Sequence, residues 1–149
     1  MTAGIDTSVM VAITVREHPA HAQAWRWFAG EVRGRDGAMA LAPQVLAEYV
    51  HVVTDPRRFE SPLSMEDALA VASRWWHARE CRQVAAEGDA VAIFLDWMAE
   101  HRLGRKRLLD TLLAASYRVA GVSRLATTDW RDFDVFGAFE VVRIGERAG

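Results

Sequence analysis

Residues 3–15 read AGIDTSVMVAITV, a short apolar run, one aspartate and a longer apolar run. The first run is typical of a buried strand over residues 3–5, and the second predicts a helix that continues to about Val15. Asp6 lies at the junction, where an aspartate can cap the helix. Because the following run is strongly apolar, burying an acid there is costly without a role for it. We therefore expect Asp6 to be functional.

Strands and helices alternate along the rest of the chain. Further strands are predicted over residues 38–42, 81–85, 124–128 and 139–143. Helices are predicted over residues 18–32, 43–54, 64–76, 90–102 and 109–120. This alternation indicates an α/β fold with a parallel sheet of 4–5 strands covered on both faces. The length of 149 residues fits a single domain spanning 1–149.

Composition narrows the classes of function. The formal net charge is −2, which argues against broad nucleic-acid binding through a basic surface. The single cysteine, Cys81, rules out an internal disulfide and suits a reducing compartment. We found no apolar run long enough to span a membrane and no basic segment typical of a signal peptide. The expectation is a cytoplasmic protein without a membrane partner.

Four carboxylates converge in this topology. Asp6 and Asp129 each follow a predicted strand. Asp110 begins the helix that leads into the fourth strand, so it lies at the same edge as the strand ends. Glu48 lies in the early turns of the helix that leaves the second strand. All four are therefore expected at the carboxyl edge of the sheet, where open α/β folds bind ligands.

Each acid also has a simpler interpretation. Glu48 can be a solvated helix residue, Asp110 can complement the helix dipole, and Asp129 can stabilise a turn. Together, converging carboxylates repel one another unless a cation neutralises them. Mg²⁺ prefers carboxylate oxygens, water and substrate phosphates as ligands. The combination thus predicts metal-dependent phosphoryl transfer, in which a metal activates water for attack on phosphorus.

These segments resemble the PIN-domain family, in particular the VapC toxin ribonucleases of VapBC toxin–antitoxin modules. The matching segments are residues 4–11 (GIDTSVMV), 43–48 (PQVLAE), 108–115 (LLDTLLAA) and 125–133 (LATTDWRDF). The resemblance implies a three-layer α/β/α fold and Mg²⁺- or Mn²⁺-dependent endoribonuclease activity. It also implies an RNA substrate, a small cognate antitoxin and a homodimer.

The resemblance assigns roles by position. The catalytic acids would be Asp6, Glu48, Asp110 and Asp129, and the metal ligands Asp6, Asp110 and Asp129. Asp132 is the alternative or auxiliary fourth acid. The hydroxyls that could orient a water are those of Thr7, Ser8, Thr127 and Thr128, although ordinary packing also explains them.

Two other features have open interpretations. Arg105, Lys106 and Arg107 precede Asp110 and either contact RNA phosphates or form a solvated loop. Trp75 and Trp76 are adjacent on one predicted helix, so both cannot face one apolar stripe. One of them would then mark a dimer or antitoxin interface.

Rival functions fit less well. The Glu48-x-x-His51 pair resembles half of a di-iron site, but no second copy exists. His18 and His21 are an isolated pair, expected at the surface. A haloacid-dehalogenase-type phosphatase would need an acid at Ser8. A response-regulator receiver domain would need a lysine after a strand, but Lys106, the only lysine, does not follow one. A PIN-like domain that binds RNA or a partner without cleaving stays as the alternative.

Overall fold

A parallel five-stranded sheet forms the middle of the computed structural model, which describes residues 1–145. The strand order is β3-β2-β1-β4-β5. The strands are β1 Ala3–Ile5, β2 Met39–Leu41, β3 Cys81–Gln83, β4 Arg124–Thr127 and β5 Glu140–Arg143. The predicted parallel sheet is confirmed, and every predicted strand is present. Residues 146–149 of the predicted domain lie outside the described residues.

Seven α-helices and one 3₁₀ helix occur within residues 1–145. They are α1 Thr7–Thr14, α2 His21–Glu31, α3 Pro43–Val53, α4 Met65–His77, α5 Gly88–Glu100, the 3₁₀ helix Arg105–Arg107, α6 Leu108–Val119 and α7 Arg131–Asp134. Helix α1 packs against both α2 and α3, α3 packs against α4, and α5 packs on α6. The sheet is the middle layer of this α/β/α arrangement.

Helix boundaries differ from expectation where side chains cap or break a turn. Helix α2 begins at His21, not at residue 18, because the His18 ring accepts the Ala20 N–H at 3.0 Å and stabilises a turn. Helix α5 ends at Glu100, since Arg102 adopts a left-handed backbone with φ of 51°. The 3₁₀ helix and α7 were not expected from the sequence.

Helix α6 is fixed against the central strand by an aromatic residue. Tyr117 donates a hydrogen bond to Ile5 O at 2.5 Å, and its ring lies over Gly4. A Cβ atom at Gly4 would lie 2.7 Å from Tyr117 Cδ2, so only glycine allows this approach. Asp110 lies two turns earlier on the same face of α6, about 10 Å along the helix. The contact therefore sets the position of Asp110 relative to β1.

Within residues 1–145, none of the helices combines the length and the apolar character needed to cross a lipid bilayer. Trp75 and Trp76 are both half-buried and both pack against the core. Trp75 stacks on Phe28 with ring centroids 5.6 Å apart. Both side chains therefore contribute to core packing, contrary to the expectation that only one of them could.

Candidate active site

A cleft of about 460 Å³ opens at the carboxyl edge of the sheet. The acids on its walls are Asp6, Glu48, Asp110, Asp129 and Asp132. The structure therefore places all four predicted acids, and the predicted auxiliary acid, around one cavity. Thr7 and Ser8 line it as well, together with two polar residues that the sequence analysis did not assign to the site, Gln44 and His51.

Asp6 is buried and held by three hydrogen-bond donors. Its Oδ1 accepts from the Ser8 hydroxyl at 2.6 Å and from the Val9 N–H at 3.1 Å. Its Oδ2 accepts from the Thr127 hydroxyl at 2.6 Å. Asp6 also caps α1 through the Val9 contact, as the structural interpretation of the sequence predicted. The same side chain thus caps a helix and faces the cleft.

The two hydroxyls connect Asp6 to the loop after β4. Ser8 Oγ accepts the Thr128 N–H at 3.2 Å, and Thr127 Oγ1 accepts the Asp129 N–H at 2.9 Å. Each hydroxyl therefore donates to one oxygen of Asp6 and accepts from one backbone amide of the loop. Of the predicted hydroxyl groups, Ser8 and Thr127 contact Asp6, whereas Thr128 contributes its backbone amide.

Burial raises the pKa of Asp6 to about 6, from an ordinary value of 3.8. The hydrogen bonds from Ser8, Thr127 and Val9 oppose that rise because they stabilise the ionised carboxylate. The charge of Asp110 adds a smaller increase. Ionising this buried carboxyl group is costly in isolation, and a bound cation would favour its ionised form.

The opposite wall contains Asp110 and Asp132, with Arg107 between them. Arg107 Nη1 lies 3.6 Å from Asp132 Oδ1, and Arg107 Nε lies 4.0 Å from Asp110 Oδ2. Arg107 Nη2 also donates to Asp132 O. Within the described residues the buried Nε has no hydrogen-bond acceptor. Arg107 therefore faces the acids, whereas Arg105 and Lys106 are exposed and do not line the cleft.

The acids of this wall influence one another. Burial, followed by the charge of Asp132, raises the pKa of Asp110 to about 6, although Arg107 opposes the rise. Glu48 and Asp129 add further repulsion at Asp110. Partial enclosure and the charge of Asp132 also raise the pKa of Asp129, and His18 opposes that change. The cleft is thus a region of net negative charge that is only partly neutralised.

His18 is a residue that the sequence analysis placed at the surface. It is half-buried, and it lies close enough to Asp129 for the two to interact electrostatically. Burial and the neighbouring His21 lower its pKa. His21 is also half-buried, and its Nδ1 lies 2.8 Å from Ala12 O. The two histidines are therefore half-buried and not surface residues as expected, because the His18 ring accepts the Ala20 N–H and the His21 ring contacts Ala12 O of α1.

The carboxylate oxygens of the cleft are the type of ligand that a hard divalent cation prefers. Within residues 1–145, no three acidic, histidine or cysteine side chains stand close enough together to share one ion as they lie. Mg²⁺ keeps several water ligands and takes only one or two carboxylates directly, so a spaced set of acids is compatible with it. Five carboxylates around one cavity, with raised pKa values at three of them, fit such an ion.

Comparison with known proteins identifies the family. The family model of the PIN domain matches residues 4–138. The chain belongs to the PIN-domain family. Within that family it is similar to Ribonuclease VapC24 of Mycobacterium tuberculosis, with 30% identity over 135 residues, 89% of this chain and 90% of that protein. This PIN-domain chain is therefore a member of the VapC ribonucleases, and the resemblance seen in the sequence is confirmed.

Solved structures confirm the α/β/α PIN fold. M. tuberculosis VapC20, described as a sarcin–ricin loop cleaving toxin, aligns with a TM-score of 0.72 at 20% identity. The alignment covers 95% of this chain and 99% of VapC20. VapBC2 from Rickettsia felis, bound to a promoter DNA fragment, aligns with a TM-score of 0.66 at 13% identity, covering 97% and 99%.

Proposed function

We propose that this PIN-domain protein is a Mg²⁺- or Mn²⁺-dependent endoribonuclease that acts as the toxin of a type II toxin–antitoxin module. The observation that carries the proposal is the cleft itself. Five acids line it, and the buried Asp6 is oriented by Ser8 and Thr127. Membership of a ribonuclease family directs this phosphoryl-transfer chemistry to RNA. We further propose that residues 1–149 act as one domain.

Asp6, Asp110 and Asp129 are the residues proposed to hold the ion. When bound, it would supply positive charge at the phosphate and acidify a water molecule. Ser8 and Thr127 keep Asp6 in one orientation through their hydroxyl groups. Glu48, which is exposed on α3 and lines the cleft, is proposed to accept a proton from the attacking water at its carboxylate. Asp132 adds negative charge beside Asp110 as an auxiliary acid.

The test is cleavage of single-stranded RNA by the purified protein. We expect cleavage with Mg²⁺ or Mn²⁺, none with EDTA, and strongly reduced cleavage by the Asp6→Asn or Asp110→Asn protein. Asp134→Asn is the matched control, since Asp134 is an exposed acid on α7 that does not line the cleft. Full activity of Asp6→Asn or Asp110→Asn protein would contradict the site assignment.

A domain that binds RNA or a partner without cleaving is the second candidate. The spacing of the acids favours it, because no three of them within residues 1–145 are close enough to share an ion as they lie. The two candidates differ in one outcome. RNA binding that persists without cleavage at any Mg²⁺ or Mn²⁺ concentration would support the binding domain over the nuclease.

A small cognate antitoxin is the proposed protein partner. Support comes from R. felis VapBC2, a related structure that bears the name of a toxin–antitoxin pair. The experiment is co-expression with the product of a short reading frame adjacent to the gene. We expect a stable complex in which RNA cleavage is inhibited. Full cleavage by a co-purified complex would contradict an antitoxin role.

A second copy of this chain is the other proposed partner. Large apolar side chains are exposed on α5 and α6, namely Val91, Leu95 and Leu109. Contiguous exposed apolar side chains commonly mark protein interfaces. We expect a dimer by sedimentation and a monomer after Leu95→Glu, with the exposed Asp96→Ala as control. A monomeric native protein would contradict the homodimer.

A further inference from the structure

Trp130 occupies an unusual place between two candidate acids. It lies in the loop after β4, and with Thr128, Asp129, Arg131 and Asp132 it lines a cavity of about 370 Å³. Asp129 and Asp132 also belong to the wall of the acid cleft. The two cavities are therefore contiguous, and an RNA strand with its scissile phosphate among the acids would pass Trp130.

Two arginines surround the Trp130 ring. The guanidinium carbon of Arg143 lies 3.7 Å from the ring centroid, and that of Arg131 lies 5.2 Å away. Arg143 ends β5 and pairs in register with Thr127, the residue that donates to Asp6. The arrangement thus stands at the carboxyl edge of the sheet, directly beside the acid cleft.

Core packing does not explain Trp130. The other half-buried tryptophans, Trp27, Trp75, Trp76 and Trp97, all pack against the hydrophobic core. Trp130 is also half-buried but is not among the described side chains that pack there. Exposed cation–π pairs are weak, so the contact between the Arg143 guanidinium and the Trp130 ring by itself contributes little to the stability of the fold.

The electrostatics of the edge indicate what the arrangement binds. Five acids repel the phosphates of an approaching RNA, and Arg131 and Arg143 supply positive charge beside them. A flat indole and a guanidinium plane are surfaces on which unpaired bases stack, with little sequence preference. Aromatic stacking combined with nearby cations is the usual composition of a single-strand binding subsite.

We propose that Trp130, Arg131 and Arg143 form a nucleotide subsite contiguous with the acid cleft, which takes an unpaired RNA base next to the scissile phosphate. The base extends the stack formed by Trp130 and Arg143, and Arg131 contacts the backbone phosphate. The inference rests on the proposed ribonuclease function, since it assumes that RNA occupies the cleft. Trp130 and its arginines are positioning residues here and do not touch the reacting atoms.

The first experiment separates base stacking from charge. Protein carrying Asp110→Asn, which keeps bound RNA intact, is titrated with a mixed-sequence single-stranded RNA of about twelve nucleotides. A reduced abasic oligomer of the same length carries the same charge without bases. We expect Trp130→Ala to weaken binding of the RNA by about 5- to 150-fold and to leave binding of the abasic oligomer unchanged.

Three further variants complete this experiment. Trp130→Phe retains an aromatic face and is expected to restore most of the affinity. Trp25→Ala is the matched control, because Trp25 is partly exposed and has Arg33 against its ring at 5.6 Å but does not line either cavity beside the acids. Arg131→Gln is expected to reduce the slope of log Kd against log salt by about 0.7, as one lost phosphate contact predicts.

The outcomes distinguish this subsite from the nuclease proposal. Equal binding of the RNA by Trp130→Ala and its parent, or equal weakening for the abasic oligomer, would overturn the subsite. A Trp130-dependent loss of RNA binding, together with native protein that cleaves no RNA in the presence of Mg²⁺ or Mn²⁺, would support the subsite and contradict the nuclease. In active protein, Trp130→Ala is expected to raise KM with little change in kcat, and a loss confined to kcat would also overturn the proposal.

Discussion

Two walls of the acid cleft are built differently: the β1 wall, which holds Asp6, and the α6 wall, which holds Asp110 of α6 and Asp132 of α7. On the β1 wall, Asp6 is 6% exposed and accepts three hydrogen bonds from neutral donors. On the α6 wall, Asp110 and Asp132 are about 40% exposed at their side chains and contact the cation Arg107 at 3.6–4.0 Å. The β1 wall therefore orients its acid in advance, whereas the α6 wall is partly neutralised by the charge of Arg107, which a metal ion could replace.

This difference assigns separate tasks to the two walls. Short hydrogen bonds from Ser8 and Thr127 fix the direction of both Asp6 oxygens, as outer-shell donors do for metal ligands. The longer contacts of Arg107 leave Asp110 and Asp132 freer to adjust when an ion or a phosphate enters. The expected effects of substitutions on the two walls follow from this contrast.

The largest expected effect is the loss of RNA cleavage when the acids are neutralised. Asp6→Asn and Asp110→Asn should each reduce kcat by about 10²- to 10³-fold, since each removes charge aimed at the reaction centre. Asp132→Asn, an auxiliary position, should cost only about tenfold. The measurement is single-turnover cleavage of one RNA by all variants, with Asp134→Asn as control. A larger loss in Asp132→Asn than in Asp6→Asn would reverse the assigned tasks.

The second effect is a pH dependence of the free energy of unfolding in the absence of metal. A folded-state pKa near 6 for Asp6, against an ordinary 3.8, means that the folded protein binds the extra proton more tightly than the unfolded chain. Protonated Asp6 therefore stabilises the fold at low pH. This contribution, up to about 3 kcal/mol of unfolding free energy, is lost as pH rises from about 4 to 6. Denaturant unfolding of native, Asp6→Asn and Asp134→Asn protein in EDTA measures it.

The comparison among these variants isolates Asp6. We expect the pH dependence to be shallower in Asp6→Asn, which has no proton to lose there, and unchanged in Asp134→Asn. Identical pH dependence in all three proteins would contradict the raised pKa of Asp6. RNA cleavage should show the opposite trend, rising through pH 6 as Asp6 and Asp110 ionise.

A smaller effect is expected from the hydroxyl groups of the β1 wall. Thr127→Val keeps the shape of the side chain and removes a donor to Asp6. We expect the pKa of Asp6 to rise further, so that cleavage falls about tenfold near pH 6 and less at higher pH. Thr54→Val is the control, because the Thr54 hydroxyl donates to Val50 O within its own helix. A uniform loss at every pH would speak against an effect through Asp6.

The smallest effect is expected on the α6 wall. Arg107→Gln should reduce the free energy of unfolding in EDTA by about 1 kcal/mol, because the partly exposed acids lose their counter-charge. Added Mg²⁺ or Mn²⁺ should close most of the difference from native protein. Arg118→Gln, at an exposed arginine near the end of α6, is the control. A loss of the same size with and without metal would show that Arg107 has a packing role only.

Most of the strands and helices that position the acids could be predicted from sequence patterns. Alternation of apolar runs with amphipathic segments predicts a parallel sheet, and parallel strands all end at one edge. Asp6 and Asp129 follow two of those strands, so their convergence could be predicted without coordinates. Asp110 could be predicted because its helix must return antiparallel to β4.

The details of the walls could not be predicted in this way. Arg107 faces the acids because the 3₁₀ helix turns it inward, and no local pattern distinguishes it from Arg105 or Lys106. The contact between Trp130 and Arg143 joins a loop to the end of another strand. Such contacts depend on tertiary packing, which hydrophobic periodicity does not encode.

The most direct test of the central claim is the affinity of the protein for Mn²⁺, measured at about pH 7 from the paramagnetic resonance signal of the free ion. We expect native and Asp134→Asn protein to bind Mn²⁺ equally, and Asp6→Asn and Asp110→Asn to bind it at least about tenfold more weakly. Equal affinity in all four proteins would contradict a metal site formed by the two walls of the cleft.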